Sequence, residues 1–476
     1  MFILLKNKFV CGVKIAYKIR CRGEKMIIKT IGVVGMGYVG IPAAVIFASN
    51  PDYNKVYGFQ RESKESGYKI DMLNRGENPL KGNEPDLADL LKDVVDNKKF
   101  ECTSDFSKIS ECDAITISIQ TPFLNKDDLI PDFSALYDGL VNIGKYLSAG
   151  SLVVLESTVT PGTTIGFVKD VIEKESGLVA GQDFALAHAP ERVMAGHLVE
   201  NIRNHDRIVG GINEWSTHVA VQLYSSILVK GKIIPMSATA AEVTKTAENT
   251  FRDLQIAASN ELALYCEAMK INFYDVKKGI DSLKGEGITR AMLNPGAGVG
   301  GHCLTKDTYH LERGTQMGIV DYPVATPSIY VVARKVNDFM PTHMFNLMMD
   351  AINKLDCVPE QITVAILGWS FLPNSGDTRN SPSEQFEALL IENNILYKIH
   401  DPYVNGMDGN LYEIISDSNI IVIFTAHNEY KLLDPVIKII MRGNHPIIID
   451  GRNIIDPDLF IKYGFIYKGI GRGDKN

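Results

Sequence analysis

The apolar residues of this chain fall into two groups of short runs, separated by long stretches with helical periodicity. The runs are rich in Val and Ile, and they cover 27–36, 55–59, 114–119, 151–156 and 185–193 in the first group and 362–369, 420–424 and 446–450 in the second. Continuous apolar runs of this length are typical of parallel strands that are covered on both faces. The pattern therefore predicts two doubly wound parallel sheets.

The stretch between the two groups is predicted to be helical. Residues 239–269 contain no glycine or proline, and residues 328–349 contain few helix breakers apart from Pro341, which should kink or divide that helix. The resulting fold class is α/β, with two Rossmann-like doubly wound parallel-sheet domains joined by a central helical domain. The predicted boundaries are a disordered extension 1–25, a first Rossmann domain 26–236, a central helical and dimerisation domain 237–350, and a second Rossmann-like domain 351–476.

Both ends of the chain carry segments outside this pattern. Residues 1–25 are basic and their apolar runs are broken by lysines, so a signal peptide is a poor fit and a disordered extension is expected. The glycine-rich segment 469–473 is followed by no helical pattern, and we expect it to be a tail.

The composition narrows the possible partners. The 476 residues carry a net charge of -8, which argues against nucleic acid because phosphate binding needs an excess of Lys and Arg. No apolar run approaches the ~20 residues of a membrane-spanning helix. The seven cysteines are scattered without C-x-x-C spacing, so we expect no metal site and a cytoplasmic location.

A glycine-rich sequence follows the first predicted strand. Gly35-x-Gly37-x-x-Gly40 stands between that strand and an apolar helix, the context in which helix N–H groups hold a dinucleotide pyrophosphate. An NAD site usually has Asp or Glu about 20 residues further on, but this chain has Gln60 and Arg61 there. Gln60 could bind a ribose hydroxyl and Arg61 a 2′-phosphate, so NAD is expected and NADP stays open. Arg61 could equally be a surface charge.

Polar residues also stand at the ends of later strands. Thr121 and Thr158 are placed to meet cofactor or substrate, since ligands of parallel sheets bind at the carboxyl ends of strands. Their common alternative use is helix N-capping. Glu191 and Arg192 follow the next strand and offer an acid or base and an anion clamp, or else an ordinary salt bridge.

The first long helix carries a polar face. Lys245, Asn249 and Arg252 follow each other at i, i+4 and i+7, and Glu242 lies on the same face. Such spacing is typical of a solvated charged stripe. A lysine and an asparagine one turn apart can also present a cation and an amide to one oxyanion.

The segment 298–307 combines several glycines with Cys303, followed by a lysine and an aspartate. Glycine lets the backbone approach a ligand closely, and a cysteine beside charged groups can be driven toward the reactive thiolate. A lone cysteine is more often buried and structural. Because a dinucleotide motif lies upstream and Lys245 and Asn249 share one helix face, we expect Cys303 to be a nucleophile.

In combination these motifs resemble the UDP-glucose/GDP-mannose 6-dehydrogenase family over roughly residues 27–475. The motifs that carry the resemblance are Gly35-x-Gly37-x-x-Gly40, Ser157-Thr158-x-x-Pro161-Gly162-Thr163, Pro190-Glu191-Arg192, Lys245-x-x-x-Asn249, Gly300-Gly301-His302-Cys303-x-x-x-Asp307 and Asp377-x-Arg379-x-Ser381-Pro382. The Gly-Gly-His-Cys and Ala-Pro-Glu-Arg-Val sequences are most similar to the branch that acts on UDP-N-acetylhexosamines, especially UDP-N-acetyl-D-mannosamine.

The resemblance implies a four-electron oxidation of the C6 alcohol of a UDP-sugar to a carboxylate, with two NAD reduced per turnover. A first hydride transfer gives an aldehyde, which Cys303 captures as a thiohemiacetal. A second hydride transfer gives a thioester, and water releases the uronate. The resemblance also implies a homodimer or a higher homo-oligomer.

Functional positions of the family carry over to named residues of this sequence. The implied catalytic residues are Cys303 as nucleophile, Lys245 and Asn249 as donors to the C6 oxyanion, Asp307 as the group that orients the cysteine or a water, and Glu191 with Thr158 as positioners of the hydrolytic water or as its base. The implied cofactor contacts besides the glycines are Tyr38, Val39, Thr121, Thr158 and Arg379. The implied substrate contacts besides Lys245 and Asn249 are Arg192, Val193, Arg252, Arg290 and Gly300.

The chain departs from the family pattern at two places. Gln60-Arg61 replaces the acidic ribose-binding residue, which puts the cofactor preference in doubt. Phe371-Leu372 stands where the family has Phe-Lys, so one expected substrate cation is missing. We expect Arg452 to supply a basic group to the diphosphate instead.

Three alternatives remain. UDP-N-acetylglucosamine and UDP-glucose 6-dehydrogenases would share the site and differ in the pocket around the 2-substituent. A β-hydroxyacid dehydrogenase also pairs a Rossmann half with a Lys-x-x-x-Asn helix, but it needs neither a cysteine nor a second α/β half. A non-catalytic nucleotide-sugar sensor should have lost Lys245 or Cys303, and both are present.

Overall fold

A computed structural model describes most of the chain. The described residues are 26–64, 66–80, 84–125, 130–193, 196–282, 292–301, 303–316, 328–355, 362–443 and 446–476. The predicted extension 1–25 lies outside them.

The first α/β unit is built on a large sheet. The strands of this unit are β1 (Thr30–Val34), β2 (Lys55–Phe59), β3 (Phe100–Thr103), β4 (Ala114–Ile117), β5 (Phe123–Asn125), β6 (Ile130–Pro131), β7 (Leu152–Leu155), β8 (Ala185–His188), β9 (Arg207–Gly211) and β10 (Ile233–Ser237). Of these, β5 and β6 form a short hairpin separate from the large sheet. Among the described residues eight strands form the sheet, in the order β10-β9-β8-β7-β4-β1-β2-β3. The part β3-β2-β1-β4-β7-β8 is parallel and has the strand order of dinucleotide-binding domains.

Helices cover both faces of this sheet. They are α1 (Gly40–Ser49), α2 (Tyr68–Asn74), α3 (Leu87–Asp96), α4 (Ser134–Tyr146), α5 (Lys169–Ser176), α6 (Leu198–Asn204) and α7 (Glu214–Ser225), with a 3-10 helix at Phe106–Glu111 and a π-helical turn at Thr164–Val168. Successive residues of a strand point to opposite faces. Ile31 and Val33 accordingly join one core and Val34 joins the other.

The central region consists of α8 (Ala238–Ala268), α9 (Phe273–Asp281), α10 (Leu304–Gln316) and α11 (Ile329–Ile352). The prediction that Pro341 could divide the last helix is wrong, since α11 runs through it without a break. Met340 and Met344 beside the proline are fully buried. Their packing stabilises the helix across the one missing backbone hydrogen bond.

The second α/β unit has a sheet whose neighbouring strands are all parallel. Its strands are β11 (Thr363–Leu367), β12 (Leu396–His400), β13 (Ile420–Ile423), β14 (Ile447–Asp450) and β15 (Ile466–Gly469), in the order β12-β11-β13-β14-β15. Its helices are α12 (Pro382–Glu392), α13 (Leu411–Ser416) and α14 (Pro457–Lys462), with 3-10 helices at Tyr430–Leu432 and Pro435–Ile439. This strand order is that of the flavodoxin-like doubly wound fold.

The end of the chain is not a loose tail. Residues 469–473 are buried, and the Gly471 oxygen accepts a hydrogen bond of 2.8 Å from the Phe273 nitrogen. The Gly471 nitrogen donates to Glu267 on α8 at 2.7 Å. The closing segment therefore binds the second α/β unit to the central helices.

Candidate active site

The candidate nucleophile stands at the start of a helix. Cys303 directly precedes α10 and is partly buried, and its carbonyl oxygen accepts a hydrogen bond of 2.9 Å from the Asp307 nitrogen. The helix packs against α8. This arrangement brings Cys303 and Asp307 to the part of α8 that carries Lys245 and Asn249.

Asn249 and Asp307 form the direct link between the two helices. The Asn249 amide nitrogen donates to Asp307 Oδ2 at 2.6 Å. Asp307 is fully buried, and its Oδ1 atom has no hydrogen-bond partner within the described part of the chain. A buried polar atom without a partner is costly. Asp307 thus has one free oxygen to offer to the cysteine or to a ligand.

Lys245 is the cation of the cluster. It is 7% exposed and makes no hydrogen bond or ion pair with any residue that the structure describes. Burial raises the pKa values of both Cys303 and Asp307, and the charge of Lys245 opposes both shifts. The ammonium group is therefore close to both residues and available to an oxyanion.

The charged neighbours of Cys303 do not lower the pKa of its thiol overall. Burial raises the pKa of the thiol, and the negative charge of Asp307 raises it further. Lys245, Lys306 and Arg379 act in the opposite direction but do not prevail. The resting thiol is consequently protonated at neutral pH.

Lys306 joins the cysteine helix to the first sheet, and the sequence reasoning missed it. Its ammonium group donates to the Thr121 carbonyl at 3.0 Å, and the Thr121 hydroxyl donates to the Thr158 carbonyl at 2.5 Å. Thr121 and Thr158 follow β4 and β7 at the carboxyl edge of the sheet, as predicted. The position of Lys306 between Cys303 and Asp307 was the one sequence signal that could have revealed it.

The glycine-rich loop has the shape that a dinucleotide site needs. A Cβ atom on Gly40 would lie 1.9 Å from the Gly35 oxygen, whereas one on Gly37 would meet nothing within 4 Å. Gly35 has a φ of +102°. The tight turn therefore requires Gly35 and Gly40, and the space above Gly37 at the start of α1 is open to a pyrophosphate. Val39 is the residue that precedes α1.

Gln60 and Arg61 lie beside this loop. The Gln60 side chain accepts a hydrogen bond of 3.3 Å from the Met36 nitrogen and donates to Ser66 at 2.9 Å. The Arg61 guanidinium lies 3.8 Å from Asp138, and both side chains are more than 60% exposed. Arg61 is thus available at the edge of the site, with a weak carboxylate partner.

Arg379 reaches the same loop from the second α/β unit. Its guanidinium lies 5.5 Å from the centre of the Tyr38 ring, and both oxygens of Asp377 hold it. The positive charge of Arg379 also opposes the rise in the pKa of the Cys303 thiol. The predicted reach of Arg379 from the second unit to the cofactor loop is therefore present within one chain.

Glu191 and Arg192 form ion pairs with different residues and not with each other. Arg207 on β9 is buried and forms ion pairs with Glu191 and, at 2.7 Å, with Glu156. Arg192 is paired instead with Glu248 on α8 at 3.7 Å. The contact with a buried guanidinium holds the Glu191 carboxylate in place, which favours its water-positioning role over the base role.

The sequence reasoning also missed His188, at the end of β8. This histidine is fully buried, and neither ring nitrogen has a hydrogen-bond partner among the described residues. Burial lowers its pKa to about 3, with further contributions from Arg207 and Lys245. A neutral His188 therefore adds no charge beside Lys245.

The remaining predicted substrate residues are more scattered. Val193 packs against the core of the first unit, and Arg252 is exposed on α8, one turn beyond the cluster. Arg290 lies outside the described residues. Arg452 follows β14 and donates to the Phe424 carbonyl at 2.6 Å.

Gly300 packs closely against the second α/β unit. A Cβ atom there would lie 2.5 Å from Phe371 and 2.9 Å from the Asn380 oxygen. The second α/β unit fills the direction that a side chain at Gly300 would take. The glycine therefore serves the close packing of the cysteine loop against that unit.

No group of His, Cys, Asp or Glu in the described ranges could hold a metal ion. None of the helices in those ranges is both long and apolar enough to cross a membrane.

Comparison with known proteins identifies the family. The UDP-glucose/GDP-mannose dehydrogenase family matches with its NAD binding domain at residues 29–228, its central domain at 239–338 and its UDP binding domain at 365–457. A UDP-N-acetyl-D-mannosamine dehydrogenase of Pyrococcus horikoshii is 36% identical, over 93% of this chain and 99% of the relative.

Solved structures agree in fold. The crystal structure of an NDP-N-acetyl-D-galactosaminuronic acid dehydrogenase from Methanosarcina mazei Go1 is 62% identical with a TM-score of 0.86, covering 94% of this chain and 96% of that one. A UDP-D-ManNAc dehydrogenase structure from Pyrococcus horikoshii is 35% identical with a TM-score of 0.82. The match covers 94% of this chain and 100% of that one. The predicted fold class, NAD cofactor and dehydrogenase class are confirmed. The chain belongs to the UDP-glucose/GDP-mannose dehydrogenase family.

Proposed function

We propose that this protein oxidises the C6 alcohol of a UDP-N-acetylhexosamine to the carboxylate, with two NAD reduced per sugar and with Cys303 as the covalent nucleophile. The observation that carries the proposal is one cluster of four residues, Cys303, Lys245, Asn249 and Asp307, between the cofactor loop and the second α/β unit. The first candidate substrate is UDP-N-acetyl-D-mannosamine.

The open space above Gly37 and the tight turn at Gly35 and Gly40 fit a dinucleotide, which Tyr38, Val39, Thr121, Thr158 and Arg379 would also contact. When bound, NAD accepts a hydride in each of the two oxidations. In the first oxidation, the C6 alcohol loses its proton to water, and Lys245 stabilises the resulting oxyanion. Asn249 is the second donor to that oxygen.

Cys303 then acts on the aldehyde. Its thiol proton passes to Asp307 or to water, and its sulfur forms a bond to C6, which gives a thiohemiacetal whose oxyanion Lys245 stabilises. The loss of a second hydride from C6 converts this intermediate into a thioester. Water adds to the thioester, the carbon–sulfur bond breaks, and the uronate leaves with the cysteine regenerated.

The hydrolytic water is assigned to the edge of the first sheet. Thr158 and Glu191 both follow strands at this edge, and Arg207 fixes the Glu191 carboxylate. A carboxylate in a fixed position can orient a water molecule for attack. Arg192, Val193, Arg252, Arg290, Gly300 and Arg452 are proposed to define the sugar and diphosphate site.

The proposed assembly is a cytoplasmic homodimer or higher homo-oligomer. The cysteines Cys102, Cys112, Cys266 and Cys303 are all free, in keeping with a reducing compartment. Phe251 and Tyr265 on α8 are 56% and 59% exposed, which supports a role of this helix in association. The proposed domain boundaries are 26–236, 237–350 and 351–476.

A second candidate substrate comes from the most similar of the structures described above. That structure, at 62% identity, is of an enzyme named for N-acetyl-D-galactosaminuronic acid, whereas the mannosamine enzyme of Pyrococcus horikoshii is 36% identical. The two sugars differ in configuration at C2 and C4, and the same C6 chemistry serves both.

A substrate panel tests the proposal. The purified protein is given UDP-N-acetylmannosamine, UDP-N-acetylgalactosamine, UDP-N-acetylglucosamine or UDP-glucose with NAD, and kcat/KM is measured from the reduced cofactor. We expect an N-acetylhexosamine to have the highest kcat/KM. A preference for UDP-glucose, or no turnover of any of the four, would contradict the proposed substrate class.

A further inference from the structure

A buried polar cluster lies at the carboxyl edge of the second sheet, away from the residues assigned so far. Ser370, Asp401 and His427 follow β11, β12 and β13, and all three are fully buried. Groups that are withdrawn from water this completely must satisfy one another.

Asp401 is the centre of the cluster. Its Oδ2 atom accepts hydrogen bonds from the Trp369 nitrogen at 2.8 Å, from the Ser370 nitrogen at 2.7 Å and hydroxyl at 2.8 Å, and from His427 Nε2 at 3.1 Å. Burial alone would raise the pKa of Asp401, but His427 and the backbone N–H groups of Ser370 and Tyr403 lower it to about 2. Asp401 is therefore an anion.

The hydrogen bonds of His427 fix its tautomer. The Asn374 backbone nitrogen donates to His427 Nδ1 at 2.8 Å, so the proton of the neutral ring is on Nε2, which faces Asp401. The Ser370 hydroxyl lies 3.1 Å from the same Nε2 atom. Serine and aspartate thus share one ring nitrogen, and a backbone amide occupies the other. This is not the geometry of a hydrolytic triad, in which the two sit on opposite nitrogens.

The hydrogen bond to Asn374 holds the middle of the loop between β11 and α12. Asn374 has a φ of +56° and Asn380 one of +49°, left-handed conformations that cost energy unless their surroundings hold them. The Asn374 side chain accepts a further hydrogen bond of 3.0 Å from the Asn428 nitrogen, next to His427. The loop is therefore attached to the segment after β13 at two points.

The far end of the same loop holds the cysteine segment. The Gly301 nitrogen donates to the Arg379 carbonyl at 2.8 Å, and the Asn380 amide donates to the Gly301 oxygen at 3.2 Å. Phe371, at the start of the loop, fills the space over Gly300 and Gly301. The loop also carries Arg379, which lies over Tyr38. One short segment thus connects the buried cluster with both the cofactor loop and the cysteine loop.

We propose that His427 is a positioning residue, which acts through the hydrogen bond between Asn374 and its Nδ1 atom to hold Arg379 against the cofactor loop and the cysteine loop. His427 touches no reacting atom in this account. Its removal should weaken NAD binding and slow the reaction of Cys303 with an alkylating agent, since Arg379 favours both. The inference rests on the proposed role of Arg379 in cofactor binding.

The test compares two amides at one position. In His427→Asn the side-chain oxygen can take the place of Nδ1 and accept from Asn374, whereas His427→Gln places its amide near Nε2 and loses that contact. The Kd for NAD is measured by calorimetry without sugar, and alkylation of Cys303 by iodoacetamide is followed by peptide mass spectrometry. We expect His427→Gln to bind NAD about tenfold more weakly than the natural protein, and His427→Asn to stay within about threefold.

Two controls separate positioning from general damage. Ser418→Ala removes a buried hydroxyl that precedes β13 at the opposite edge of the same sheet and donates to the Ile414 carbonyl at 2.8 Å, and it should lower the melting temperature without changing the NAD affinity. In an Arg379→Ala background, His427→Gln should weaken NAD binding no further. If neither amide variant folds, Ser370→Ala is compared with the natural protein instead. We expect Ser370→Ala to bind NAD about fivefold more weakly, because one hydrogen bond of the cluster is lost.

Each unexpected result has a definite meaning. Equal NAD affinity of His427→Gln and His427→Asn, an additive effect with Arg379→Ala, or no loss in Ser370→Ala would overturn the positioning role. Turnover of UDP-sugars by the natural protein is measured separately, so a failure of the proposed function is distinguished from a failure of this inference.

Discussion

The amide of Asn249 donates to the carboxylate of Asp307 at 2.6 Å, and this contact joins the long helix α8 to the first turn of the cysteine helix. The same carboxylate raises the pKa of Cys303, after the larger effect of burial. The charge of Asp307 therefore disfavours ionisation of the Cys303 thiol.

Asp307→Asn should make Cys303 react faster with iodoacetamide and should slow turnover. Removing the negative charge lowers the pKa of Cys303, so a larger fraction of the thiol is ionised at a given pH and alkylation by iodoacetamide becomes faster. Turnover should fall, because the amide can neither take the thiol proton nor pair with Asn249 in the same way. Alkylation is measured between neutral and alkaline pH, with Asp408→Asn, an exposed aspartate, as the control. Slower alkylation of Asp307→Asn would contradict the assignment.

Lys245→Ala should reduce kcat by about 10²–10³-fold, because the ammonium group is the cation placed to stabilise the C6 oxyanion. The control is Lys335→Ala, which removes an exposed lysine from α11 and should leave kcat unchanged. Initial rates with saturating sugar and NAD give the comparison. A kcat within twofold of the natural value in Lys245→Ala would make Lys245 structural.

Asp138→Ala should improve the use of NADP. Arg61 lies 3.8 Å from Asp138 in an exposed pair, and such pairs are worth at most about 1 kcal/mol, or roughly fivefold in affinity. Freeing Arg61 should raise kcat/KM for NADP by up to this factor and leave the value for NAD unchanged. No change in the ratio of NADP to NAD would mean that Arg61 does not reach the 2′-phosphate.

Glycines of the two loops should respond differently to alanine. Gly300→Ala places a Cβ atom 2.5 Å from Phe371, and overpacking of this kind costs about 1–3 kcal/mol of unfolding free energy. Gly37→Ala meets nothing within 4 Å, so its folding stability should stay close to that of the natural protein while NAD binding is blocked. Thermal melts and NAD titrations of both variants provide the test. A destabilised Gly37→Ala with intact NAD affinity would contradict the assigned pyrophosphate space.

The sequence predicted the parts of the site that depend on local spacing. Lys245 and Asn249 lie one helical turn apart, and Cys303 and Asp307 span one turn of the next helix, so their relative placement follows from helix geometry. The predicted apolar runs coincide with strands β1, β2, β4, β7 and β8 of the first sheet and β11, β13 and β14 of the second. The prediction missed β3, β9 and β10 of the first sheet and β12 and β15 of the second, which lack a continuous apolar run. No residue of β10 is buried, for example, and the strand contains Pro235.

Contacts between distant segments could not be predicted. The ion pairs of Arg207 with Glu156 and Glu191 and the hydrogen bond of Lys306 to Thr121 join residues from 16 to 185 positions apart. The direction of the Cys303 pKa shift could not be predicted from the sequence either. It depends on how far burial outweighs three nearby cations, and burial is a property of the folded chain.

The stoichiometry of cofactor reduction with limiting UDP-N-acetylhexosamine is the decisive test of covalent oxidation at Cys303. The covalent mechanism predicts two NAD reduced per sugar consumed and uronate as the product. It also predicts that Cys303→Ser makes no uronate, while Cys266→Ser, which alters a buried cysteine outside the site, behaves as the natural protein. One NAD reduced per sugar, or two in Cys303→Ser, would contradict it.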